Sequence, residues 1–248
     1  LDVCEKQKYV SNNVEIWFPR LPQESRLFLY THGKRFLSGY YSDTIAYKVL
    51  AALPAAQREE GGRAQLLISK QEQNVDLNYA AFLPWEEVIR ELEPHLHSSN
   101  AEHRAEALFA QIGAIRYHRE QLPAVLERLL QRRTEHDGVR KGILFALVGV
   151  PVVFWQEEHL AHLAEIIRHG LNDVGLSQET LRTILKLLLR LLPYHFAWAT
   201  QQLSVVLQER GFLLPTPGSE SHFTLNKVPQ IYIEPARRKE LFSSLQPI

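Results

Sequence analysis

The chain has 248 residues, of which 45% are apolar and 23% charged, an ordinary balance able to bury a core. Lys+Arg and Asp+Glu are 28 each, so the formal net charge is zero, which argues against a surface that embraces nucleic acid throughout. The single cysteine, Cys4, excludes an intrachain disulfide and a thiolate metal cluster, and fits a reducing, cytoplasmic setting.

Residues 1–41 read as an irregular N-terminal segment. Val14 to Phe18 suggests a short strand or extended run, Pro22 opens a helix through about Tyr30, and Gly33 and Gly39 punctuate a loop. Ser42 or Asp43 is placed to cap a helix carrying Ile45, Val49, Leu50 and Leu53, stopped by Pro54. The polar stretch 57–63, with Gly61 and Gly62, reads as a turn. Weaker helical signals follow at 63–70 and 76–82, and Pro84 sits at a first-turn position for a helix through about Leu96.

The periodicity is clearest over 98–211. Asn100 can cap a helix with Ala105, Leu108, Phe109 and Ile112 on one face. Arg119 to Arg133 forms the next, with Leu122, Val125, Leu126, Leu129 and Leu130 inward. Asp137 can cap a third carrying Val139, Ile143, Leu144 and Leu147, ended by Pro151. Residues 156–171 make a fourth; Ser177 caps a fifth over 178–192; the sixth runs from about Tyr194 to Gly211. Residues 212–248 read as an extended Pro-rich C-terminal segment, with a short strand at Gln230 to Glu234 and a last helix over 236–245.

No apolar run reaches the roughly 20 residues of a membrane span; the longest, around Leu187 to Leu189, is broken by Lys186 and Arg190. The N-terminus does not resemble a secretory signal. The absence of methionine, initiator included, reads as a fragment of a longer protein or as modified methionines dropped from the sequence.

Long helices joined by short turns raise the question of a repeat. Three of them begin alike: Asn100 to Arg104, Asp137 to Arg140, and Ser177 to Arg182, each a capping-type residue followed within five positions by arginine. The arginines lie 36 and 42 residues apart, the range of HEAT and armadillo helix pairs. Asp137-Gly-Val-Arg140 resembles the Asp-x-x-Val-Arg opening of a HEAT second helix, one residue shorter, and Asn100 to Ala107 is a looser match. The stretch also looks like repeats within large uncharacterised bacterial proteins, where a segment like Leu83-Pro84-Trp85 precedes them. The resemblance covers roughly 84–211, extending back to about 42. It implies an all-α superhelix of helix pairs over 42–211 and, because one scaffold hosts many functions, almost nothing about activity. In such a stack the first helix of each pair lines the convex side and the second the concave side. Arg104, Arg140 and Arg182 would then pair with carboxylates such as Asp137 in an inter-repeat ladder.

No His-Glu-x-x-His, Glu-x-x-His, P-loop, dinucleotide glycine pattern or nucleophile elbow occurs. No enzyme, cofactor or metal is therefore expected. Glu158, His162, Glu165 and His169 share one helix face opposite Leu160, Leu163, Ile167 and Leu171. They read as a solvated face rather than a metal site, since tight sites need ligands converging from several elements.

The fifth helix is apolar nearly all round except for a stripe of Arg182, Lys186 and Arg190 at i, i+4 and i+8. On a concave face this stripe would contact an acidic protein segment or phosphates; the plain alternative is a solvated edge on a greasy helix. Arg128, Arg132, Arg133 and Lys141 add basic charge around one inter-helix turn, diluted by Glu127, Glu135 and Asp137. Trp17, Trp85, Trp155 and Trp198 fall at helix starts or loops, as packing anchors. The function expected is a non-enzymatic scaffold binding a protein or peptide, or a module of a larger protein. The alternative is a nucleic-acid binder, since HEAT-like solenoids also resemble alkyl-base DNA glycosylases, for which Trp155, Trp198 and Asp173 would be the recruits.

Overall fold

The structure, a computed structural model, describes residues 14–33, 37, 45–73, 75–172, 175–210 and 235–245. Among them every regular element is a helix, so the all-α expectation holds. The helices are α1 (Val14–Trp17), α2 (Gln23–His32), α3 (Tyr47–Ala51), α4 (Ala55–Gln71), α5 (Trp85–Leu96), α6 (Ala101–Ala114), α7 (Leu122–Leu130), α8 (Asp137–Gly149), α9 (Glu157–Leu171), α10 (Gln178–Leu191), α11 (Phe196–Arg210) and α12 (Pro235–Leu245). Short 3-10 turns occur at Phe18–Arg20, Leu77–Phe82, Arg119–Gln121 and Val152–Phe154. Ser42, Asp43, Gly39, Gly211 and Gln230 to Glu234 lie outside the described residues. Contacts divide the chain into two compact units, residues 1–99 with 106–117, and residues 100–105 with 118–248.

In the first unit, α4 packs against α3 and the 77–82 turn, which also carries α5. Its core holds Phe18, Leu50, Phe82, Leu92, Leu108 and Ile112, all essentially inaccessible. The chain ahead of α3 is pinned at Ile45, whose N–H donates to Gln65 Oε1 at 3.0 Å and whose carbonyl accepts from Tyr79 Oη at 2.9 Å. Arg63 clamps Glu87 with two 2.8 Å hydrogen bonds, and Lys70 pairs with Glu91, joining α4 to α5.

Three expectations fail here. Val14 to Phe18 is a helical turn followed by a 3-10 turn opened by Pro19, not a strand. The buried pair is Val14 and Phe18, one helical turn apart, while Ile16, which strand alternation would bury, is 54% exposed. The helix carrying Val49 and Leu50 is five residues long and begins after Ala46. Gly61 and Gly62 are not a turn; they sit inside the 17-residue α4, buried. A Cβ on Gly61 would lie 2.6 Å from Leu50 Cδ2, and one on Gly62 would lie 2.9 Å from Phe82 Cβ and 3.1 Å from the Tyr79 carbonyl oxygen. The glycines are there for close approach, which outweighs their poor helix propensity.

In the second unit, successive helices alternate between two rows. α7 packs on α9 and α9 on α11, while α8 packs on α10; α10 also meets α9 and α11, and α12 packs on α11. Each helix buries a stripe at helical spacing: Leu122, Val125, Leu126 and Leu129 on α7; Val139, Ile143, Leu144 and Leu147 on α8; Leu181, Ile184, Leu188 and Leu191 on α10. The expected helix from Arg119 to Arg133 is shorter. Pro123, which has no N–H to donate, is accommodated only in the first turn of α7, and 131–134 form a turn. Phe109, expected inward, is 37% exposed, because α6 buries Leu108, Ala110, Gln111 and Ile112 around it.

Candidate functional site

The starts of the second-unit helices are fastened to one another by polar side chains. Arg104, in the first turn of α6, holds both carboxylate oxygens of Glu135 at 2.7–3.1 Å, and Arg132 adds a 3.2 Å bond to the same group. The Arg104 guanidinium's hydrogen bonds hold the Glu135 carboxyl below the usual range against the opposing effect of burial. Asp137 is the first residue of α8 rather than its cap, a position taken by His136 without a side-chain bond. Its carboxylate instead accepts from the Ser177 N–H at 3.3 Å, at the cap of α10. Burial pushes Asp137 up, but hydrogen bonds from Ser177 and Thr180 and the nearby Arg140 charge bring it below the ordinary aspartate range. Thus Arg104 meets Glu135, and Arg182 meets Glu179 of its own helix at 3.1 Å.

Sequence reasoning missed His159. Its Nδ1 accepts the Gln156 N–H at 3.1 Å while the Gln156 side chain accepts the His159 backbone N–H, a reciprocal cap at the start of α9. Burial holds this imidazole below its ordinary range, and His162 lowers it further; Glu158 and a Phe154 backbone hydrogen bond raise it only in part. The signal was a polar residue three positions before a histidine, a pairing that capping rules based on Ser, Thr and Glu do not flag.

Of the row Glu158, His162, Glu165 and His169, Glu165 lies 3.6 Å from His169 and also 3.4 Å from Arg168, while Glu158 lies 3.5 Å from His159, outside the row. Among the described residues, no group of three or more His, Cys, Asp or Glu side chains is arranged to hold a metal ion. Trp155 is buried, and its carbonyl accepts from His195 at 3.1 Å; Trp17, Trp85 and Trp198 are half-buried, and Asp173 lies outside the described residues.

The basic stripe of α10 meets an aromatic ring. Arg182 is half-buried, and Lys186 and Arg190 are exposed. Across the α8–α10 contact, the Lys186 ammonium lies 5.6 Å from the centroid of Phe145, which is 53% exposed. Phe145 faces outward because α8 buries Ile143, Leu144, Ala146 and Leu147, leaving Lys141 and Phe145, one turn apart, on the solvent side. The face therefore combines one large apolar ring with Lys141, Lys186 and Arg190, and Glu179 is engaged by Arg182. The face is thus aromatic and cationic.

No described helix is long and apolar enough to cross a membrane. No protein-family model matches the chain, and no curated protein and no solved structure matches it either.

Proposed function

We propose that this chain is a non-enzymatic, HEAT-like helical-repeat module. It binds an acidic segment of another protein, or of a longer version of its own chain, through the exposed face of α8 and α10. The two-row alternation of α7 to α11 supports the repeat reading, since each helix buries a single stripe against its neighbours. The observation that carries the binding reading is Phe145, a half-exposed phenylalanine overlaid by a lysine ammonium. Leaving such a ring in water forgoes part of the roughly 1.5–3 kcal/mol that full burial would supply. An exposed cation–π contact returns only about 0.5–1 kcal/mol. A partner that covers the ring and places carboxylates beside Lys141, Lys186 and Arg190 recovers the rest and gains steering from charge.

The test is capture from the native host with wild-type protein and with the triple reversal Arg182→Glu, Lys186→Glu, Arg190→Glu. A partner retained by the wild type, mapped to an acidic segment and lost from the reversal supports the reading. Retention of every partner by the reversal contradicts it. Recovery of nucleic acid alone, with binding that collapses as salt rises, replaces it with the nucleic-acid alternative.

A further inference from the structure

We infer that the linker between α8 and α9 is a pH-set joint, in which acid breaks the cap that His159 makes at the start of α9 while His195 keeps the same linker tied to α11. The linker is residues 150–156, between the end of α8 and the cap of α9, and it contains no charged residue. Two imidazoles grip its last two residues. His159 Nδ1 accepts the Gln156 N–H at 3.1 Å, and His195 Nε2 lies 3.1 Å from the Trp155 carbonyl oxygen.

The two bonds make opposite demands on their rings. The Gln156 N–H is a donor, so His159 Nδ1 must offer a lone pair, which only the neutral ring has. The Trp155 carbonyl is an acceptor, so His195 Nε2 must carry a proton, which the charged ring supplies as well as the neutral one. Added protons therefore remove the first bond and preserve the second. Because the two grips fall on adjacent residues, the change is confined to the step from Trp155 to Gln156, where the linker enters α9.

The surroundings of His159 give a charged ring little in return. The residue is buried, and its Nε2 has no hydrogen-bond partner. Glu158 lies 3.5 Å from Nε2 but is exposed, so water screens its attraction. His162, one turn on, opposes a charge on His159 and has a buried Nδ1 without a partner. The neighbours of α9 are α7, α10 and α11. The buried stripes of α7 and α10 are apolar apart from Thr180, and α11 brings His195. A hydrogen bond with the Phe154 backbone favours the charged ring and holds it against the linker, so acid opens the cap without freeing the whole segment. The inference thus concerns one joint, whatever the stability of the rest of the chain.

The experiment is residue-resolved amide exchange by NMR on the full chain between about pH 7.5 and 5, corrected for the intrinsic rate, with the imidazole nitrogen shifts of His159 followed in parallel. Protection of the Gln156 amide should fall about fivefold or more, the factor that one lost hydrogen bond represents, and its midpoint should coincide with that of the His159 ring. The Phe154 and Trp155 amides, bonded to the Pro151 and Val152 carbonyls, should keep their protection over the same range. His159→Gln offers a side-chain carbonyl that accepts the same N–H without titrating, and should make Gln156 protection independent of pH. His162→Gln removes the opposing charge and should move the midpoint to higher pH. Gln156 protection that persists while the His159 ring titrates would overturn the inference. So would an equal loss in His159→Gln, or a simultaneous loss at Phe154, Trp155 and Gln156, which marks opening of the whole linker. If His159→Gln does not fold, the comparison of Gln156 with the ring in the wild type decides alone.

Discussion

Replacing Gly62 with alanine tests the packing that turns a glycine pair into the middle of a helix. In an exposed helix interior, Gly→Ala stabilises by about 1 kcal/mol through propensity and a less free unfolded chain. At Gly62 the new Cβ would lie 2.9 Å from Phe82 Cβ and 3.1 Å from the Tyr79 carbonyl oxygen. Carbon atoms settle at about 3.5–4.0 Å, and neither neighbour is the free end of a flexible side chain. Overpacking of this kind costs about 1–3 kcal/mol, so Gly62→Ala should gain nothing and lose up to about 2 kcal/mol net. Gly142 is the internal control. It lies within α8, and a Cβ there would sit 3.6 Å from Ala105 Cβ, an ordinary contact. Gly142→Ala should therefore stabilise by about 0.5–1 kcal/mol. Thermal unfolding followed by circular dichroism reads both, at about 2–4 °C per kcal/mol. Hydrogen exchange over residues 55–71 should accelerate only in Gly62→Ala. If Gly62→Ala stabilised as much as Gly142→Ala, the close packing of α4 on the 77–82 turn would be wrong.

Three further outcomes follow from the second unit. Ser177→Ala removes the Oγ that accepts the Thr180 N–H at 3.2 Å and should cost about 1 kcal/mol, read as a lower melting temperature and faster exchange at the start of α10. Because burial lowers the His159 pKa, its stabilising contribution is complete above the ordinary imidazole value near 6.5 and is lost as pH falls from there towards the lowered folded value. Melting temperature should therefore fall between about pH 7 and 5 in the wild type and less steeply in His159→Gln; parallel profiles would show that the reciprocal cap does not depend on a neutral imidazole. A double-mutant cycle of Arg104→Gln and Glu135→Gln should give a favourable coupling that shrinks but persists in about 1 M salt, since both side chains are largely shielded; a coupling abolished by salt would mark a surface pair.

The helices from 85 to 210 were legible because their apolar residues recur every three to four positions and their ends carry Pro, Ser, Asn or Gly in the expected places. What remained hidden was tertiary. Nothing local to Gly61 and Gly62 reports that Leu50, Tyr79 and Phe82 come close enough to require them. The four apolar or aromatic residues among Val14 to Phe18 satisfy a strand pattern as well as a helical one, and only burial of Val14 and Phe18 without Ile16 decides between them. Asp137 read as a cap of its own helix because it stands at the right place; its partner, the Ser177 N–H, lies 40 residues away. On the candidate face, the stripe Arg182, Lys186 and Arg190 was visible as a polar row on a leucine-rich helix. Phe145 was not singled out, although it falls one turn after Lys141 and between the inward pairs Ile143–Leu144 and Ala146–Leu147, a spacing that places it on the solvent side.

The binding claim rests most directly on Phe145, and a photo-reactive phenylalanine analogue placed there tests it. The same analogue at Val153, which is 75% exposed on the second unit's surface, serves as the control. Irradiation in extract of the native host should join position 145, and not position 153, to a discrete protein segment rich in Asp and Glu, with the product lost when Lys186 and Arg190 are changed to Glu. Identical products from both positions, or a position 145 product that survives the charge reversal, would contradict the account.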